Sequence, residues 1–372
     1  MTKKKTILWQ ALFFAMLVLP TLLFLLFFRG KEAETHENRT PVAPPNLTLA
    51  NLENVPDEIT EYYNDNLPFR STMVSLYSYG IYRVFHDAAL PNVVVGKENW
   101  LFYDRKDDGT NIQDYKGMCQ FSEEHLAQIA AQLTEINNSL SSQGCQFILY
   151  IVPDKDHIYP EYMPDYIAGP GPSRSYGLTN YLRENTDLTV LYPTGELLSF
   201  KEENEEDSLY YHYDTHWNAL GAYLGSKSLL NVLGVEPVSL YEMEVEKTND
   251  SEYDLADLLA IRNFVNDDVG YSITDPYHKK AKLVEDDGGE CLVLKSRDED
   301  ADPRHILLFR DSFADQLSPY LAPRFKKTTL LRRTGTGESE SYHKAMETLP
   351  DVFIYEISER YLDELLGFRL PG

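Results

Sequence analysis

Residues 305–321 read HILLFRDSFADQLSPYL, and the change of pattern within them sets the fold. Positions 306–309 are all apolar, as in a strand buried on both faces. From 314 to 321 the apolar residues return at helical spacing, with Pro319 limiting the helix length. Asp311 and Ser312 therefore stand where a buried strand turns into a helix. Gln146–Val152 (QFILYIV) repeats the apolar-strand signature. The clearest helix lies before it: Leu126, Ile129, Leu133, Ile136 and Leu140 recur at intervals of three and four, Ser122 can cap the start and Gly144 follows the end. Working outward, 93–95, 100–103, 189–192, 328–331 and 352–355 read as short strands. Residues 194–200, the apolar series before Gly234, and 342–349 read as helices. This alternation predicts an α/β fold with a parallel sheet flanked by helices, and no internal repeat is visible. Residues 236–304 break the rhythm with Glu285-Asp286-Asp287, Gly288-Gly289 and Asp298-Glu299-Asp300. They read as an acidic insertion on the sheet's rim, a solvated face without calcium-loop spacing.

The chain carries 34 basic and 59 acidic side chains, a net charge of −25, and its first 31 residues hold five bases and no acid. A surface this acidic repels phosphate backbones, which excludes general nucleic-acid binding. The 43% hydrophobic and 12% aromatic content excludes a disordered chain. Residues 7–28 (ILWQALFFAMLVLPTLLFLLFF) are uncharged and long enough to span a hydrocarbon core of ~30 Å. Lys3, Lys4 and Lys5 precede them, so the positive-inside rule puts residues 1–6 in the cytoplasm and the bulk of the chain outside. A cleaved secretory signal is the competing reading, but its apolar core is normally ~7–15 residues and ends at a small-residue cleavage site. The expected order is then a tether and helical lead-in at 29–88 and a domain at 89–372. Cys119, Cys145 and Cys291 allow at most one disulfide, with the pairing open, and lack the paired spacing of a zinc site.

Two segments carry candidate chemistry. Ser312 lies at the carboxyl edge of a parallel strand, where open α/β folds place their ligands, with helix N–H groups aimed at a developing oxyanion. The plain alternative is that Asp311 or Ser312 only caps the helix. Asp214 and His216, two apart, share a face if the backbone is extended. The carboxylate can then hold Nδ1–H and leave Nε2 as a base. Alternatives there are a polar surface loop, a histidine satisfied in the core, or an H-x-D-x-H metal set of His212, Asp214 and His216.

At these residues the chain resembles the SGNH-hydrolase-like alginate O-acetyltransferase family and the related DHHW proteins of Gram-positive bacteria. The matching pieces run in family order. They are Glu37-Asn38-Arg39, Leu67-Pro68-Phe69-Arg70, Val93-Val94-Val95-Gly96-Lys97 with Trp100-Leu101-Phe102-Tyr103, and Val152-Pro153-Asp154-Lys155 with Tyr159-Pro160-Glu161-Tyr162. Asp214-Thr215-His216-Trp217, Tyr253-Asp254-Leu255 and Arg310-Asp311-Ser312-Phe313 follow. The resemblance implies a triad of Ser312 nucleophile, His216 base and Asp214 orienting partner, in a motif order permuted from ordinary SGNH esterases. Arg310 replaces the usual Gly, and Thr215 replaces the first His of the D-H-H-W signature. Arg310 and Trp217 are the expected substrate-binding residues, and no metal or cofactor is implied. Little sequence follows Ser312, so glycan contact is expected on the catalytic face rather than through an appended carbohydrate-binding module.

The function so implied is a membrane-anchored, extracytoplasmic O-acetyltransferase or acetylesterase that modifies a polysaccharide through an acetyl-serine. A membrane-bound acyltransferase (MBOAT) partner would supply the acetyl groups. The alternative is a non-catalytic glycan-binding or assembly subunit of a cell-envelope machine.

Overall fold

A computed structural model of the chain describes residues 3–23, 26, 42–45, 53–67, 69–104, 110–333 and 340–370. Residues 24, 25, 27 and 28 of the apolar stretch, Glu37-Asn38-Arg39, most of the tether and Pro68 lie outside the described residues. The chain forms two compact units, Met1–Val93 with Tyr253–Asn266, and Val94–Glu252 with Asp267–Gly372.

In the first unit Lys3–Leu23 is a helix on which Trp9, Phe13 and Phe14 are exposed. Among the described residues no helix is long and apolar enough to cross a membrane. Helices Val55–Asp65 and Arg70–Phe85 follow, where the lead-in pattern predicts them. Tyr79 stacks on Phe264 with ring centres 4.4 Å apart.

The larger unit, from Val94, opens on the pair β1 (Val93–Val95) and β2 (Leu101–Tyr103). Next come β3 (Gln146–Val152), β4 (Thr189–Leu191), the small antiparallel pair β5 (Glu244–Thr248) and β6 (Gly270–Thr274), then β7 (Ala281–Asp286), β8 (Cys291–Ser296), β9 (Asp302–Arg310), β10 (Phe325–Arg332) and β11 (Val352–Ser358). A seven-stranded sheet has the order β4-β3-β11-β9-β10-β8-β7. Its first five strands are mutually parallel, and β8 and β7 close one edge antiparallel. The acidic stretch 236–304 thus supplies strands as well as loops. Its sheet-edge strand hides well in sequence because Lys282, Glu285 and Asp286 are exposed, the usual charged blunting of an edge.

The apolar runs are continuous because both sheet faces are covered. Alternation sends Ile148, Tyr150, Val152, Ile306, Leu308 and Ile354 to one face, under helices Thr194–Glu203, Ala219–Val232 and Phe313–Leu321. It sends Phe147, Leu149, Ile151, Leu307, Phe309 and Phe353 to the other, under Glu123–Ser142, Arg174–Asn185 and Glu340–Met346. The Glu123–Ser142 helix buries Ile129, Leu133, Ile136 and Leu140, and Ser122 Oγ caps it by accepting the His125 N–H at 3.1 Å.

One consequence of this topology decides where chemistry is possible. β3, β9 and β11 run in parallel as near neighbours and end at Val152, Arg310 and Ser358. Asp154-Lys155, Asp311-Ser312 and Glu359-Arg360 therefore gather at one carboxyl edge.

Candidate functional site

Ser312 lies two residues beyond the end of β9 and opens the Phe313–Leu321 helix, but its hydroxyl makes no cap. Asp311 takes that work: its Oδ1 accepts the Phe313 N–H at 2.9 Å, and its Oδ2 accepts the Ser358 N–H at 2.9 Å from β11. Burial alone would raise the Asp311 carboxyl. Arg333, with Glu356 and these N–H groups, instead holds it below its ordinary range. With the helix start satisfied by Asp311, the Ser312 Oγ lies 2.8 Å from His216 Nε2.

His216 is held by its own loop. The segment turns back on itself through the bridge between Tyr210 and Trp217 and the bond from the Asn218 N–H to the Leu209 carbonyl at 3.0 Å. Asp214 Oδ1 accepts both the His216 backbone N–H at 2.9 Å and ring Nδ1 at 2.7 Å. One carboxylate thus fixes the turn and the tautomer together, leaving Nε2 toward the serine. Asp214 is fully buried, whereas the His216 side chain keeps 16% of its surface. Three side chains from two distant stretches meet as the spacing argument requires.

The other expected residues sit differently. Trp217 is buried and donates its Nε1–H to the Phe313 carbonyl at 3.1 Å, so it braces the two site segments and offers the substrate no surface. Its side chain lies against Gly221 and Gly225, one turn apart on the following helix. A Cβ at Gly221 would collide with the Leu209 carbonyl, and one at Gly225 would come within 2.8 Å of the Tyr150 hydroxyl. Arg310 is also buried; its Nη1 pairs with Asp315 at 2.8 Å and donates to the Asp311 carbonyl at 3.2 Å. The substrate-binding expectation fails for both because β9 and the core claim their side chains. The His212 ring packs on Trp100 with centres 4.4 Å apart, and burial, aided by Lys155, lowers it to about 4. That places His212 in an aromatic stack rather than in an H-x-D-x-H ligand set.

Lys155 braces the loop that carries His216, and spacing arguments pass over it. It is buried one residue beyond the Asp154 that follows β3, and its ammonium donates to the carbonyls of Asp214 at 2.7 Å, Tyr211 at 3.0 Å and His212 at 3.3 Å. Three donors meet three carbonyls of the loop that carries His216. Four ionisable residues, Asp154 to His157, directly after seven largely apolar ones are the signal that could have flagged it. Lys155→Met should leave buried carbonyls unpaired at about 1–3 kcal/mol each. We expect a lower melting temperature and a roughly 100-fold fall in kcat with KM little changed, read by steady-state kinetics on the folded variant, since a small misplacement of a reacting group has that effect.

Beneath this loop lies a buried ionic network. Arg360 pairs with Asp154 at 2.7 Å, Arg174 with Asp114 at 2.7 Å, and His157 Nδ1 contacts Glu359, whose other oxygen accepts the Tyr192 hydroxyl at 2.5 Å. Asp156, His157 and Glu359 also lie close enough together to share a cation. Burial would lower the His157 ring, but Glu359 and Asp156 beside it hold it well above its ordinary value.

Above Ser312 opens a cleft with about 290 Å³ of solvent-filled space, lined by Tyr211, Asp214, His216, Asp250, Glu252 and Asp315 among others. The geometry can supply a hydroxyl nucleophile, a base of fixed tautomer and a buried carboxylate to stabilise the imidazolium.

Residues 93–286 match the family model described as the SGNH hydrolase-like domain of acetyltransferase AlgX, a span that includes Asp214 and His216 and ends before Ser312. Among curated proteins, the chain is similar to the probable alginate O-acetylase AlgJ of Pseudomonas syringae pv. tomato, 23% identical over 168 residues, which is 45% of this chain and 40% of the relative. It is also similar to the protein of the same name in Azotobacter vinelandii, 23% identical over 215 residues, 57% of this chain and 50% of the relative. The chain thus spans about half the length, or less, of these relatives. Among solved structures, Bacillus cereus PatB1 with a sulfonyl adduct aligns with a TM-score of 0.52 at 16% identity over 73% of this chain and 98% of its own. A DHHW family protein from Eubacterium siraeum aligns with a TM-score of 0.50 at 15% identity over 76% of this chain and 100% of its own. These likenesses show the fold.

Proposed function

The chain belongs to the SGNH hydrolase-like acetyltransferase family of AlgX, and from that premise we propose that it transfers acetyl groups to a polysaccharide through an acetyl-serine at Ser312. The observation that carries this reading is the unbroken series from Asp214 Oδ1 to His216 Nδ1 at 2.7 Å and from His216 Nε2 to Ser312 Oγ at 2.8 Å. A purely glycan-binding subunit would have no use for that series.

In the proposed cycle His216 Nε2 takes the Ser312 proton as Oγ attacks the carbonyl carbon of the acetyl donor. Negative charge gathers on the carbonyl oxygen, near the Ser312 backbone N–H and the positive end of the helix. The imidazolium, stabilised by Asp214, gives its proton to the leaving group, and the acetyl ester of Ser312 remains. A sugar hydroxyl then loses its proton to Nε2 and attacks that ester. The Ser312 oxygen leaves and recovers the proton. Water in place of the sugar gives the esterase direction with the same side chains, so exclusion of water from the acyl-enzyme sets the outcome.

We further propose that the apolar residues 7–28 anchor the chain with its catalytic unit outside the cytoplasm, and that a membrane-bound acyltransferase presents the acetyl group. A sulfonyl fluoride tests the nucleophile directly. It should inactivate ester turnover in step with one adduct on Ser312, and His216→Ala should slow labelling by roughly 100-fold or more, since the base activates the hydroxyl. Inactivation with the adduct on another residue would remove Ser312 from the mechanism.

A further inference from the structure

Resting on the reading that Ser312 acetylates a glycan hydroxyl, we propose that Tyr211, Asp250 and Glu252 form the acceptor wall of the cleft and select an amino-sugar glycan over a polyuronate.

Among the described residues, four carboxylates line this cleft and no lysine or arginine does. Two of the four are committed, Asp214 to His216 and Asp315 to Arg310. Asp250 and Glu252 are not; among the described residues neither has an ion-pair partner. Tyr211 adds an independent sign of a ligand. It is more than nine-tenths buried, it lines the cleft, and among the described residues its hydroxyl has no hydrogen-bond partner. Burial, together with Asp214, Asp268, Glu252 and Asp250, holds that phenol's proton well past its ordinary range, so it stays a donor.

A phenol with an open hydroxyl suits a sugar ring, whose oxygens accept such a bond and whose C–H face packs on the aromatic. The two uncommitted carboxylates decide the sugar's charge. An ammonium on the acceptor gains attraction from both, and a uronate brings a third like charge into a cleft with low-dielectric walls. The relatives named as alginate O-acetylases are described by a uronate polymer; the lining of this cleft points away from one.

The test uses the native full chain without acetyl donor, titrated calorimetrically with β-1,4-linked oligomers of glucosamine, glucose and glucuronate of equal length. Affinity should fall in that order, by about tenfold between the ends, roughly 1.4 kcal/mol. The spread should shrink in 1 M salt, where the screening length falls to about 3 Å. A double variant, Asp250→Asn with Glu252→Gln, should bind the three alike, and Tyr211→Phe should weaken all three by a similar factor of about five. Glucuronate oligomers binding as tightly as glucosamine oligomers, or a ranking unchanged in the double variant, would overturn the proposal. Turnover of a simple acetyl ester without glycan tests the underlying reading separately. Its independence from Ser312, with the ranking intact, would contradict the chemistry while upholding charge selection.

Discussion

Ser312→Ala should hydrolyse an acetyl ester such as p-nitrophenyl acetate roughly 10³–10⁶-fold more slowly than the native chain, with its thermal unfolding unchanged. The magnitude follows from what the serine does: without Oγ there is no covalent path, and only binding and charge stabilisation remain. Stability should hold because Asp311, not Ser312, satisfies the helix start through Phe313 and the neighbouring strand through Ser358. His216→Ala should lose a comparable amount, and the two changes together should cost little more than either alone, because members of a triad act as a unit. Additive losses would mean that the two side chains act in separate steps.

Glu359→Gln should cost about 3–5 kcal/mol of stability, read by denaturant unfolding, because it leaves His157 charged and buried without its strongest partner. Burial would push the His157 ring down, but Glu359 and Asp156 hold it well above its ordinary 6.5. A raised histidine contributes stability that is complete below about 6.5 and is lost as pH rises through its folded value. Asp114 acts in the same direction. Burial raises it from 3.8 to about 7 against the pull of Arg174, so the folded chain keeps a proton that the unfolded chain sheds above 3.8. Glu359 and Asp311, both lowered against the effect of burial, act oppositely and withdraw stability as pH falls below about 4. Unfolding free energy should therefore peak on the acid side of neutrality and decline from about pH 5 to pH 8. A steady rise across that interval would contradict the network as described.

Much of the fold was legible because apolar runs and helical spacing survive without tertiary context. QFILYIV and HILLF could only be strands covered on both faces, and the heptad-like spacing before Gly144 could only be a helix. The edge strand β7 was not legible, since an exposed strand rich in charge reads as a loop. The meeting of Asp214, His216 and Ser312 was legible for a local reason: Asp214 and His216 are two apart, and Ser312 lies just beyond a buried strand. The bonds of Lys155 to loop carbonyls and the lining of the cleft by Tyr211, Asp250 and Glu252 were not, because that loop and cleft exist only after folding. Arg310 and Trp217 misled in the other direction. Both stand within two residues of His216 or Ser312 in sequence, yet strand alternation and a core indole turn them inward.

The most direct measurement of the central claim is mass spectrometry of the purified chain after a brief pulse of acetyl donor. An acetyl group should be found on the peptide bearing Ser312, should accumulate when acceptor is withheld, and should vanish when acceptor is added. Acetylation confined to other residues, or full turnover with Ser312 never acylated, would contradict it.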